Sequence, residues 1–159
     1  MATQIITNNL GVAFNCFASG ILFGVGSLAA LAFNGLQLGA TSGYFANAGL
    51  LGYLWTFVAG HGLLELFSIW VAGAAGFLLG RALIAPGDLA RSDALVFAGR
   101  RAMRMIGAVV LLLIVAGSIE GFISTSGMTV SGRLIVSGGS AVLLALYLAR
   151  GAQSMSRAT

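Results

Sequence analysis

The sequence predicts an all-α membrane protein: a helical bundle of about four transmembrane spans plus a broken or re-entrant helix around residues 60–62. Three observations carry that expectation. The 159 residues are 58% hydrophobic and 8% charged, whereas about a quarter of a soluble domain is charged. Long apolar stretches run without a charge and alternate with short segments that hold the arginines. Twenty-four glycines accompany one proline. In water so much helical glycine destabilises, but between helices in lipid it permits close backbone contact. The length suits one integral membrane domain over residues 1–159.

Residues 10–33 hold no charge and are long enough to cross a ~30 Å hydrocarbon core. Gly20 and Gly24 form a small-xxx-small pair inside this first span, and Asn34-Gly35 reads as its stop. Residues 37–47 read as a loop. Residues 47–81 are too many for one span and too few for two, with Gly60-His61-Gly62 in the middle. The expectation is a half helix over 48–59, carrying Tyr53 and Trp55, followed by a full span over 62–80. Backbone that is not helical at membrane depth must be covered by protein or line a cavity, so residues 60–62 belong inside. Residues 81–104 read as a loop with five arginines and a short interfacial helix. Spans follow over 105–123 and 132–149, joined by a polar turn.

Eight arginines and no lysine give the net charge of +4. Seven of them fall in the 81–104 loop or the tail, two spans apart and therefore on one side. That side is expected to be cytoplasmic, in a multi-pass protein of the cell (inner) membrane. Arg91, Arg100, Arg101 and Arg104 are expected to reach lipid headgroups. The charge therefore points to membrane lipids and not to nucleic acid as partner. The single Cys16 excludes an internal disulfide and a cysteine-based metal site.

Four polar residues are predicted to meet in one layer on the opposite side. Glu65 begins the 62–80 span, Glu120 ends the 105–123 span, Arg133 starts the last one, and His61 sits at the break. Ionisable groups inside a membrane are costly and often mark pathways. The layer has two readings: it ties the broken helix together, or it passes a proton, ion or small solute through Glu65 and Glu120. Gly76 and Gly80 share the face of Glu65 and Gly117 that of Glu120, and these with Gly20, Gly24, Gly73 and Gly121 are expected to pack helices together. A homo-oligomer or a complex with other membrane proteins is expected. Catalysis is not. The order His-Gly-x-x-Glu lacks the second histidine of a zinc-protease helix, and no Gly-x-Ser-x-Gly turn is present. No cofactor or metal is expected.

Thr7-Asn8-Asn9 with Val12-Ala13-Phe14, Asn34-Gly35 with Leu38-Gly39, His61-Gly62-x-x-Glu65 with Ala72-Gly73-Ala74-Ala75-Gly76, and Ile119-Glu120-Gly121-Phe122 occur in that order. In these stretches the chain resembles the stage II sporulation protein M family of multi-pass membrane proteins. The resemblance implies a non-catalytic membrane component, since the sporulation member is associated with peptidoglycan-degrading proteins as their membrane anchor or organiser. Longer relatives carry a further N-terminal part. This chain starts at the Asn-Asn stretch, so a partner-binding role residing in that part is not expected to transfer.

Overall fold

The computed structural model describes residues 2–58 and 61–156, and is all helix among them. In order the helices are α1 (Ala2–Ala18), α2 (Val25–Asn47), α3 (Leu51–Val58), α4 (Gly62–Ile84), α5 (Arg91–Thr125) and α6 (Val130–Ser156). Three of them, α4, α5 and α6, are long and apolar enough to cross a bilayer. Ala59 and Gly60 of the expected break, and Arg157 of the tail, lie outside the described residues.

The expected single span over 10–33 is corrected: it is a helical hairpin. A 3-10 turn at Ser19–Ile21 ends α1, and Phe23 and Gly24 then adopt positive φ of 55° and 80°. Two successive left-handed residues reverse the chain, and α2 returns beside α1. The Ser27 hydroxyl donates to the Cys16 carbonyl at 2.6 Å, which pins the two arms. Asn34-Gly35 stops nothing, because α2 continues to Asn47 through the segment read as a loop. Hydropathy alone cannot see such a turn, since its residues are as apolar as the helices.

Phe23 is the one described non-glycine residue in the left-handed region, and its ring is 60% exposed. An L side chain there costs about 1–2 kcal/mol, while glycine's extra unfolded-state entropy costs about 0.5–1 kcal/mol. Phe23→Gly is therefore expected to raise stability by up to about 1 kcal/mol. Thermal unfolding of the detergent-solubilised protein measures it, and a lower midpoint would mean that the ring packs on something.

The core is a three-helix contact of α1, α4 and α5. Gly20 faces Gly76 and Gly24 faces Gly80, so α1 runs parallel to α4. Leu31 covers Gly73, so α2 runs antiparallel to it, and Ile6 of α1 covers Gly117 of α5. A Cβ on Gly20, Gly76 or Gly80 would meet a neighbouring backbone, which is why the backbones can touch there only with glycine. Ala72, Ala75, Ala102 and Ala116 continue these small-residue seams, and Ile69, Ile106, Val109 and Leu113 fill between them. Gly121 lies on the following turn of α5.

Two further expectations change. The arginine loop of 81–104 shrinks to residues 85–90, around Pro86 and the left-handed Gly87 (φ 67°). Arg91 to Arg104 instead form the first turns of α5, continuous with its membrane part. Ala94 and Ala102 are buried there and extend the apolar seam, while Arg91, Arg100, Arg101 and Arg104 are exposed. A 35-residue helix measures about 52 Å at 1.5 Å per residue, more than a bilayer core needs, so its arginine end projects beyond it. The half helix over 48–59 is the shorter α3. Tyr53 and Trp55 on it are exposed, as suits a helix at a membrane–water interface. Finally, α6 stands at the edge, touching mainly α3 and α4, with Leu143, Leu146 and Tyr147 turned outward.

Candidate functional site

The antiparallel pairing of α4 and α5 sets the start of one beside the end of the other. His61 occupies the N-terminal cap position of α4, and its carbonyl accepts from the N–H groups of Leu64 and Glu65 at 3.1 and 3.3 Å. One helical turn later Glu65 turns back toward the same imidazole: its Oε2 is 3.8 Å from His61 Nε2. From α5, Glu120 Oε2 comes within 2.6 Å of His61 Nδ1. The contact is short, but the two atoms do not meet the geometry of a hydrogen bond to each other. The Phe57 ring stands edge-on to the imidazole at 5.8 Å between centroids and closes the α3 side.

Burial deepens along the series: Glu65 is 13% exposed, His61 6% and Glu120 0%. An open depression of about 440 Å³ leads in from the surface, walled by Gln4, Asn8 and Asn9 of α1 with Phe57, and ending on Glu65 and His61. Asn9 faces the Glu65 carboxylate from α1. Beyond Glu120 the seam is mostly apolar. Toward the arginine end, the seam is closed by Ile69, Ala72 and Ala75 of α4 against Leu113, Val109 and Ile106 of α5, all buried. Ser68, buried in the same seam, bonds to the Leu64 carbonyl of its own helix at 2.7 Å.

Two carboxylates and an imidazole packed this closely interact strongly, since burying net charge in a low-dielectric core is costly. The depression beside α1 reaches two of the three groups, Glu65 and His61.

Of the residues expected to converge, the structure brings together His61, Glu65 and Glu120. Arg133 is half-buried at the start of α6, and among the described residues no ion pair joins it to either glutamate. The hydrogen-bonding wall of Gln4, Asn8 and Asn9 was not legible as part of the site, because those residues precede the first apolar run. The Asn8-Asn9 pair was visible, but nothing in the sequence set it beside Glu65.

The sequence model of the family described as Stage II sporulation protein M matches residues 1–125. The match takes in α1 to α5, the whole His61–Glu65–Glu120 layer included, and ends where α6 has yet to begin. No curated protein and no solved structure matches the chain.

Proposed function

The chain belongs to the stage II sporulation protein M family, and from that premise we infer that it is a non-catalytic organising component of a membrane complex. On this reading it holds partner proteins at the bilayer and moves no solute. The observation that carries the reading is the closed seam. Glu65 sits at the bottom of a depression open on one side, with the buried Glu120 behind His61 and a buried apolar layer of Ile69, Ala72, Leu113 and Val109 beyond. A carboxylate–imidazole layer in that position fastens the start of α4 to the end of α5. The positive-inside rule supports a cytoplasmic position for the arginine end and the C-terminus. The family's sporulation member, an organiser of peptidoglycan-degrading proteins, supports the type of role.

Affinity isolation of the intact complex from native membranes tests it. Defined membrane or wall-modifying proteins are expected to co-purify reproducibly. Recovery of this protein alone, repeatedly, would refute the organising role.

The second reading is passage of protons or cations, and the observation favouring it is the polar entry that reaches Glu65. Proteoliposomes separate the two. The organiser is expected to give no flux above empty vesicles in a proton or potassium gradient. A flux that Glu65→Gln and Glu120→Gln abolish, with folding intact, would establish passage instead.

A further inference from the structure

The hairpin of α1 and α2 shows its small-residue side to α4, and its other side carries several carboxamides among apolar residues. The two arms frame a groove of about 580 Å³ on the outer surface of the body. Asn8 and Asn15 of α1 and Asn34 and Gln37 of α2 line it, over a floor that includes Gly11 and Gly26. Asn15 is exposed and Asn34 half-buried, and Ser19 donates to the Asn15 Oδ1 at 3.0 Å.

Their depth follows from the packing. Gly20 lies against Gly76 and Gly24 against Gly80. The same register carried back along α1 sets Asn15 level with Val71. Ser27 lies against Gly76 and Leu31 against Gly73, so along the antiparallel α2 Asn34 falls level with Trp70. Both carboxamides therefore stand at the middle of α4, a helix long and apolar enough to span. Hydrocarbon offers them no hydrogen-bond partner. The outward face of α6 is different, since it carries Leu143, Leu146 and Tyr147, which lipid covers without loss.

We propose that the α1–α2 groove is the interface of a homodimer, in which Asn15 of one copy meets Asn34 of the other. Two copies inserted the same way are related by a two-fold axis along the membrane normal. Such an axis through the groove sets α1 of each copy against α2 of its mate and preserves depth. Asn15 and Asn34 share a depth, so two equivalent Asn15–Asn34 contacts form. A carboxamide both donates and accepts, so the pairing is self-complementary and needs no charge. Gly11, Ala29 and Ala30 allow the backbones to approach. Phe33, 62% exposed, lines the groove beside the polar centre and supplies apolar contact. This inference is independent of the organising role, and requires only that the hairpin sit at the depth of α4.

Oxidative cross-linking in membranes tests it, with Asn15→Cys on one tagged copy and Asn34→Cys on a second, differently tagged copy. The mixed pair is expected to cross-link at least tenfold more than either variant alone, and more than a Leu143→Cys control on α6. In bilayers of decreasing protein density, the unsubstituted protein is expected to remain dimeric where Asn15→Leu/Asn34→Leu is mostly monomer. A monomeric unsubstituted protein, or a dimer that cross-links through Leu143→Cys, overturns the proposal. So does labelling of Asn15→Cys by a membrane-impermeant thiol reagent at the rate of a free thiol, which would make the groove a watery vestibule.

Discussion

Replacing Gly76 with alanine is expected to cost about 3 kcal/mol or more, the upper end of what one misplaced methyl costs in a packed core. A Cβ there would lie 2.7 Å from the Cys16 carbonyl oxygen and 2.9 Å from that of Phe17, and against the Ser27 hydroxyl. Two of the three are backbone atoms. The third is held by its own bond to the Cys16 carbonyl, so no side chain can rotate out of the way. The α1–α2 hairpin would have to move off α4 as a unit, which also opens the Gly20 and Gly80 contacts. Gly107→Ala and Gly99→Ala are the controls: a Cβ at either meets nothing within 4 Å, and alanine is the better helix former. Thermal unfolding in detergent, followed by intrinsic fluorescence and by survival on size exclusion, compares them. The glycine-seam account fails if Gly76→Ala melts with the controls.

Glu120→Ala is expected to cost about 3–5 kcal/mol, the usual consequence of removing one partner from a buried charged pair. Glu120 has no exposed surface, and His61 lies 2.6 Å away with 6% exposure. Water cannot replace the carboxylate without opening the end of α5. Glu120→Gln keeps the shape and is expected to cost less, about 1–2 kcal/mol. Glu65→Gln is expected to cost least, because Glu65 lies 3.8 Å from the ring and borders the open depression. The double variant His61→Leu/Glu120→Met is expected to lose less than the two single variants added together, since an apolar pair leaves no buried charge behind. Unfolding midpoints of the four proteins give the coupling. Equal losses for Glu65→Gln and Glu120→Ala, or strictly additive ones in the double variant, would show that the layer is not a coupled unit.

Much of the polar layer was legible before any fold was known. An acid in an apolar helix must find a partner, and the arginines fixed which ends of which helices share a side. That logic assigns His61, Glu65 and Glu120 to one level. It also assigned Arg133, because depth was the only coordinate available. Which way α6 leans depends on how much of it the bundle grips, and its first turns, through Val130, Leu134 and Ser137, lie beside α3 and the start of α4. The hairpin was hidden for a different reason. Leu22, Phe23 and Val25 at its tip are as apolar as the arms, and hydropathy reports burial in lipid but not chain direction.

The sequence by itself determined the solvent and the repertoire: few charges and many apolar residues make lipid the surroundings, and lipid leaves helix as the open form of backbone. It also singled out glycines that could serve close helix contacts, since glycine otherwise weakens a helix. Only the tertiary structure decided which glycines face each other, that residues 10–33 reverse at Phe23 and Gly24, and that Asn9 walls the approach to Glu65. The reason is one of range. Composition and periodicity act within a helix, whereas the crossing of α1 on α4 is set by the depth of a groove that two separate stretches make only together.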